Sequence, residues 1–109
     1  MAGGRKPKQK GNRYERELVN QAKDSGLDAK RAYASNGQSL GHHEEVDIVI
    51  CGKKIQCKRK KAIPSWIGLS EHVDASSVRC DGGESYVVMR WFDYLDLLKE
   101  IDNEQTGKA

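Results

Sequence analysis

Residues 46–58 read VDIVICGKKIQCK, and this stretch decides the fold that we expect for the chain. Two short apolar runs, residues 46–50 and 55–58, are joined by a Gly-Lys-Lys turn. Alternating apolar residues on both sides of a glycine-containing turn are typical of a β-hairpin. The stretch therefore predicts two paired antiparallel strands.

The predicted hairpin would place Asp47, Gln56 and Lys58 side by side near the ends of its strands. A carboxylate and an amide oxygen can hold a hard divalent cation, and a neighbouring lysine can orient or deprotonate an attacking water. The pattern thus suggests a metal-dependent phosphodiesterase. An Asp entering a strand and a Lys leaving one are also common surface choices, and this spacing alone is more often structural than catalytic.

Length and composition bound the remaining choices. The chain has 109 residues, 37% apolar and 32% charged, which predicts one domain with a modest core. No apolar run approaches the ~20 residues of a membrane span, and the first residues lack the apolar segment of a secretion signal. We expect an intracellular protein, with a virus or phage as one source. Three cysteines without zinc-type spacing predict reduced thiols.

Charge is unevenly distributed along the chain. Residues 1–61 hold 15 Lys and Arg against 7 Asp and Glu, whereas residues 62–109 hold 4 against 9. A basic half indicates a polyanionic partner, and DNA is the natural candidate. The alternative is that such basic runs are only solvated faces. The candidate DNA contacts are Arg5, Lys6, Lys8, Lys10, Arg13, Arg31, Ser35, Lys53, Lys54, Arg59, Lys60 and Lys61.

Periodicity and turn residues predict the element order αβββαβα. Residues 1–10 are expected to be a disordered basic tail, residues 11–100 a single domain and residues 101–109 a polar tail. The predicted elements are a helix over about 12–25, a strand over 27–33, a polar loop over 34–41, the hairpin, a helix over about 64–78, a buried strand over 85–90 and an amphipathic helix over 91–99.

Four segments together resemble a known family. KGNRYERELV at 10–19, RAYAS at 31–35, VDI at 46–48 and QCK at 56–58 are similar to the archaeal-type Holliday junction resolvases of the PD-(D/E)xK nuclease superfamily. The resemblance runs from about residue 10 to 90. It implies an α/β, restriction-endonuclease-like three-layer core with a mixed central sheet and flanking helices. It also implies Mg²⁺ as the cofactor, for which Mn²⁺ can substitute.

The resemblance assigns roles to individual residues. Glu15 corresponds to the helix-borne acid of the metal site, Ser35 to the loop serine, Asp47 to the bridging aspartate and Lys58 to the catalytic lysine. Gln56 stands where the family has a metal-binding carboxylate, and the Cys57 carbonyl completes the implied metal ligands.

Two residues depart from the family pattern. Val46 replaces a proline that only shapes the entry to the strand. Gln56 contributes no negative charge, so ion affinity should fall unless Glu15, Glu44 or Glu45 compensates.

The resulting interpretation is a structure-specific DNA endonuclease, acting on four-way junctions as a two-fold homodimer. Three alternatives remain open: a nuclease for flaps, nicked duplex or single strands, a catalytically degenerate DNA-binding module, and an RNA-binding protein. A zinc site at His42 and His43 is a further, weaker reading. Trp66 and Trp91 are expected to be core or dimer contacts, with stacking on an opened base as the alternative.

Overall fold

The structure is a computed structural model that describes residues 7–32 and 41–106, with side chains described for residues 12–32 and 41–104. Its elements are α1 (Pro7–Asp24), β1 (Ala29–Arg31), β2 (Ile48–Ile50), β3 (Lys53–Ile55), β4 (Ala75–Arg79), β5 (Ser85–Met89) and α2 (Trp91–Thr106). They fall into two compact units, Met1–Arg59 and Lys60–Ala109. No helix in the described part of the chain is long and apolar enough to cross a membrane.

Helix α1 ends in a hydrogen-bonded cap. The Leu27 N–H donates to the Ala22 carbonyl (3.0 Å) and the Gly26 N–H donates to the Lys23 carbonyl (2.9 Å). This pair of bonds is the Schellman motif, which requires a left-handed residue that glycine adopts at low cost. Gly26 has a φ of +87°. The cap turns the chain back toward the helix and delivers the buried Leu27 to the core.

The first unit contains a three-stranded antiparallel sheet in the order β1-β2-β3. Ile48 pairs with Ile55 and Ile50 pairs with Lys53, so the connecting turn has only two residues. Those residues, Cys51 and Gly52, have φ values of 49° and 80°. Positive φ at both positions is the mark of the type I′ hairpin turn. The predicted hairpin is confirmed, but the turn is Cys-Gly, and the two lysines expected in it belong to β3.

The core of the first unit lies between α1 and this sheet. Alternation along β2 buries Ile48 and Ile50 completely, and both face the same side. Helix α1 packs against β1 and β2. The other buried apolar residues of the unit are Leu18, Val19, Ala22, Leu27, Ala29, Ala32 and Val46.

Glu15 is the one charged side chain that is buried among the described residues, with 4% of its surface exposed. It precedes Leu18 and Val19 by three and four positions, which places it on the face that α1 buries. Its carboxylate Oε1 lies 3.6 Å from Nη1 of Arg31. That Nη1 is itself buried and has no hydrogen-bond partner. A buried carboxylate needs a compensating charge, and Arg31 supplies one without ideal geometry.

The second unit consists of a two-stranded antiparallel sheet and helix α2. Strand β4 pairs with β5 over its full length, from Ala75 opposite Met89 to Arg79 opposite Ser85. The Arg90 guanidinium donates to the carbonyls of Ser70 and Val73, at 2.9 Å each. It thereby ties the segment before β4 to the residue that precedes α2.

The predicted helix over 64–78 is wrong. The structure has isolated turns at Pro64–Gly68, closed by Ile67 N–H to Pro64 O (3.0 Å) and Gly68 N–H to Ser65 O (3.1 Å), and then strand β4. The apolar positions were spaced as in a helix, but Gly68 lies inside the predicted helix and disfavours it, and the β-branched Val78 favours the strand that follows.

Other boundaries and layers also differ from expectation. Helix α1 begins at Pro7, a favourable first helical position, where we predicted about residue 12. Helix α2 extends to Thr106, into the expected polar tail. The described strands form two antiparallel sheets where one mixed sheet was expected. Strand β5 is present, but its first three residues are exposed. The expected loop over 34–41 lies almost wholly outside the described residues, and the single-domain boundaries stay a prediction.

The turn of the first hairpin gives a matched pair of substitutions. Gly52→Ala should lower the free energy of unfolding by about 1 kcal/mol, because an L-residue strains a positive φ. Apart from its neighbours in the chain, no atom of the described residues lies within 4 Å of the added methyl group, so the effect comes from the backbone alone. Cys51→Asn should raise stability, because asparagine tolerates this conformation. Urea unfolding measures both, and equal effects of the two substitutions would contradict the assigned turn.

The Glu15–Arg31 pair predicts a second stability effect. Arg31→Met should lower the free energy of unfolding by about 2 kcal/mol, less than the roughly 3–5 kcal/mol of a fully buried pair, because Arg31 is partly exposed. Adding Glu15→Gln should recover most of that loss. Lys30→Met, at an exposed position of the same strand, is the matched control. A double variant no more stable than Arg31→Met would mean that the pair does not compensate the buried charge.

Candidate functional site

Asp47 is held at the open end of the first hairpin by its own backbone. Its N–H donates to the Ile55 carbonyl (3.0 Å) and its carbonyl accepts from the Ala32 N–H (2.8 Å). These bonds continue the pairing of β2 with β3 and with β1 by one residue. Asp47 is therefore fixed between the two neighbouring chain segments.

The Asp47 side chain also positions the segment that follows β3. Its Oδ2 accepts a hydrogen bond from the Cys57 N–H at 2.7 Å. A short hydrogen bond to a carboxylate is stronger than one between neutral groups. It holds the Gln56–Cys57 peptide group at the end of the hairpin, where β3 has already lost its regular pairing.

The Cys57 thiol lies close to two carboxylates, those of Asp47 and Glu15. Burial raises the pKa of Cys57 to about 12, and the charges of Asp47 and then Glu15 add to the effect. A negative group raises a thiol pKa only when it lies close to it. Helix α1 and the hairpin thus bring the Glu15 and Asp47 carboxylates near the same thiol, and the metal-binding roles that the resemblance implies for them stay a prediction.

Tyr14 and Arg59 lie beside this cluster. The pKa of Tyr14 is raised, mainly by burial and then by the charges of Cys57 and Glu17. The charge of Arg59 acts in the opposite direction but is the smallest of these effects. A phenol that interacts with both Cys57 and Arg59 must lie near the same end of the hairpin. The site therefore has an aromatic and a cationic neighbour in addition to its acids.

Gln56 and Lys58 follow β3 at this end, but they point into solvent. Both side chains are exposed, and neither has a hydrogen bond or ion pair with another of the described residues. Gln56 comes directly after Ile55, which pairs with Ile48, so it lies across from Asp47 in the extended register. The structure brings Glu15, Asp47 and Cys57 together, whereas the Lys58 side chain is exposed to solvent at the same end of the hairpin.

Other predicted site residues either lie outside the described residues or are exposed. Ser35 lies outside the described residues. Glu44 and Glu45 are exposed, and Glu45 Oε1 lies 3.7 Å from His43 Nδ1. Within the described ranges, no group of three or more His, Cys, Asp or Glu residues is arranged to hold a metal ion. Neither the zinc reading nor compensation by Glu44 or Glu45 therefore gains support.

The predicted DNA contacts differ in their surroundings. Arg31 is mostly buried against Glu15, so its first role is structural. Arg5 and Lys6 lie outside the described residues, and Lys8 and Lys10 lie on α1 with side chains that are not described. The remaining members are all exposed: Arg13, Lys53, Lys54, Arg59, Lys60 and Lys61.

The oxygen donors of the site fit a hard divalent cation in kind. Glu15 and Asp47 supply carboxylates, Gln56 an amide oxygen and Cys57 a carbonyl, which are the ligand types that Mg²⁺ accepts. After burial, the charges of Asp47 and Glu15 raise the pKa of the Cys57 thiol, so the potential around that thiol is negative. A divalent cation would be attracted to that potential.

The sequence did not reveal the Arg31–Glu15 pair. A usable signal was the alternation of β1, which puts Arg31 on the same face as the buried Ala29. The sequence likewise indicated only an apolar helix position for Tyr14, although Tyr14 directly precedes Glu15. Arg31 and Tyr14 can be assigned to the site only once the position of α1 over the sheet is known.

Comparison with known proteins agrees with these observations. A family model described as archaeal Holliday junction resolvase matches residues 6–71, more than half of the chain, and includes the hairpin and Glu15. No match was found among curated proteins or among solved structures. The resemblance inferred from the four sequence segments is thereby confirmed, and the chain belongs to the archaeal Holliday junction resolvase family.

Proposed function

We propose that this protein is a metal-dependent endonuclease that resolves four-way DNA junctions by paired nicks. The observation that carries the proposal is the anchored Asp47 carboxylate, whose Oδ2 accepts the Cys57 N–H at 2.7 Å next to a thiol whose pKa the buried Glu15 also raises. Carboxylate oxygens are the ligands that a hard divalent cation prefers. Membership of a family of junction resolvases supports a nuclease reaction at that point.

Four groups would hold the divalent ion in this proposal. They are the Asp47 and Glu15 carboxylates, the Gln56 amide oxygen and the Cys57 carbonyl. The bound ion would supply Lewis-acid stabilisation of the negative charge that develops on the scissile phosphate. The hydrogen bond from the Cys57 N–H to Asp47 Oδ2 keeps one acid and the Cys57 peptide in register.

We assign the attacking water to Lys58. Its ammonium group can donate a hydrogen bond to that water and fix its direction, and the exposure of Lys58 leaves it within reach of a bound backbone. In the hydrolysis, the water oxygen forms a bond to phosphorus and the bond from phosphorus to the leaving deoxyribose oxygen breaks. The water gives up one proton, and the leaving oxygen gains one.

Exposed basic residues would hold the DNA. Arg13, Arg59, Lys53 and Lys54 belong to the same unit as the site and are solvent-accessible. Contacts to phosphates fix the position of DNA without reading its sequence. This fits an enzyme that recognises the shape of its substrate.

A junction has symmetry-related strands, and one site can cut only one of them at a time. We propose that two copies of the chain pair by a two-fold axis, which supplies two equivalent sites for two nicks. The same reasoning leaves flaps, nicked duplex and single strands as substrates for a different pairing geometry.

One observation favours a second candidate, a DNA-binding module without activity. Gln56 stands where the family has a charged ligand, and its side chain is exposed. Incubation of the purified protein with a labelled four-way junction, flap, nicked duplex and single strand separates the candidates, in Mg²⁺ and in chelator. Cleavage of the junction in Mg²⁺ alone supports the enzyme, whereas binding without cleavage in either condition supports the module.

The assigned roles of Asp47 and Lys58 can be tested directly. Asp47→Asn keeps an oxygen acceptor for the Cys57 N–H but removes the charge, and Lys58→Ala removes the group assigned to the water. Each should lower the rate of junction cleavage by at least about 100-fold, while junction affinity stays close to that of the unsubstituted protein. Lys30→Ala, at an exposed position of β1 that is not among the proposed DNA contacts, is the control and should keep its cleavage rate. Robust cleavage by either site variant would rule out the mechanism.

The neutral side chain of Gln56 leads to a separate prediction about the Mg²⁺ concentration that cleavage requires. Gln56→Glu should keep activity and lower the Mg²⁺ concentration that gives half the maximal rate, because a carboxylate attracts the cation more strongly than an amide. Gln56→Ala should raise that concentration and cut slowly. A Mg²⁺ titration of cleavage rate measures all three proteins. Native behaviour of Gln56→Ala would mean that Gln56 is not a ligand.

A further inference from the structure

A second concave surface lies in the second unit, on the β4–β5 hairpin. It has a volume of about 560 Å³ and is lined by Trp66, Ser77, Val78, Arg79, Cys80 and Tyr86. We call it the hairpin groove. Sites for small ligands commonly occupy roughly 300–1,000 Å³, so this groove is large enough for one nucleotide.

The two aromatic residues of the hairpin groove are open to solvent. Trp66 is 66% exposed and Tyr86 is 60% exposed, although both carry large apolar rings. Tyr86 lies directly opposite Val78 in the pairing of β4 with β5, which gives its ring a firm support. Exposed aromatic residues that share a concave surface indicate a binding site more than a core.

A hydrogen bond fixes the tip of one ring. The Tyr86 hydroxyl donates to Glu84 Oε1 at 3.0 Å, which occupies the edge of the phenol and leaves its faces available. Glu84 is not among the residues that line the groove. The restrained ring is a better stacking surface than a freely rotating one, because less entropy is lost on binding.

The charge of the hairpin groove selects the class of ligand. Among the described residues, Arg79 is the one charged residue that lines the groove, and none of those lining residues carries a carboxylate. A guanidinium that shares a groove with two aromatic rings suits a flat ligand ring that carries a neighbouring negative charge. A nucleobase with its phosphate has both properties.

We propose that the hairpin groove binds one unpaired nucleotide of the DNA substrate, with the base against Trp66 and Tyr86 and the phosphate at Arg79. The inference rests on the proposed function, which makes DNA the partner. Unpaired bases cost least to take out of the stack, and aromatic stacking accepts any base. The groove would therefore favour branched DNA with unpaired nucleotides over continuous duplex.

The test measures affinity for three probes in the Asp47→Asn background with chelator present, so that no strand is cut. The probes are a fully paired four-way junction, the same junction with two unpaired thymines at the branch, and a duplex of equal length. Trp66→Ala should weaken binding of the junction with thymines about tenfold and leave duplex affinity unchanged. Trp66→Phe should keep most of the affinity, because it retains a stacking ring.

Two matched controls accompany this test. Val87→Ser alters an exposed apolar residue next to Tyr86 that does not line the groove, and it should change no affinity. Arg79→Gln should weaken the junction with thymines in a salt-dependent way. In a Trp91→Phe background, a short thymine oligonucleotide should quench the fluorescence of the remaining Trp66.

Two results would overturn the proposal. One is an equal or absent effect of Trp66→Ala on junction and duplex. The other is a change from dimer to monomer in Trp66→Ala by analytical ultracentrifugation without a change in probe selectivity, which would assign the groove to self-association. Failure of the unsubstituted protein to cut the paired junction in Mg²⁺ would count against the proposed function, since quenching of Trp66 by thymine does not depend on cleavage.

Discussion

The anchoring of Asp47 is the constraint on which the rest of the site depends. One residue joins three segments: its N–H bonds to the end of β3, its carbonyl receives the N–H of Ala32, and its carboxylate receives the N–H of Cys57. Backbone bonds set the position of the Cα atom, and the side-chain bond sets the direction of the carboxylate. A functional group held by packing and hydrogen bonds is already placed before any ligand arrives. The two-residue turn at the other end of the hairpin fixes the register that makes these bonds possible.

Burial of Glu15 follows from the same geometry and carries a cost. An unpaired carboxylate on the buried face of α1 would lose its hydration, and Arg31 on β1 offsets this loss only partly at 3.6 Å. The unpartnered Nη1 of Arg31 adds a second unfavourable contribution. Ionisable groups in energetically unfavourable surroundings cluster at functional sites. In this core the buried Glu15 is such a group, and it is also one of the residues proposed to hold the metal.

The sequence predicted those parts of the fold that depend on local chemistry. Helix α1 and the first hairpin followed from periodicity and a glycine turn, and the place of Asp47 at the strand entry followed from the hairpin. The helix predicted over 64–78 is absent because its apolar residues are too few to distinguish a helix from turns and a strand. Gly68, inside the predicted helix, disfavours it further. The Glu15–Arg31 pair depends on how α1 lies over β1, a long-range relation that no window of sequence contains. Exposure of Lys58 likewise depends on where β3 stops pairing.

The neutral side chain at position 56 is less damaging than its chemistry first suggests. Coulombic attraction for an ion is strongest from groups shielded from water, because the effective dielectric constant around them is lower. Glu15 is buried and Asp47 is half-buried, whereas Gln56 is exposed, so a carboxylate at position 56 would be the most strongly screened of the three. In the proposed metal site, most of the attraction therefore comes from Glu15 and Asp47. An amide at position 56 also adds no further negative charge to this end of the hairpin, where burial and then the charges of Asp47 and Glu15 raise the pKa of Cys57 to about 12. The hairpin end then carries less unbalanced charge when no ion is bound, and its folding depends less on the metal.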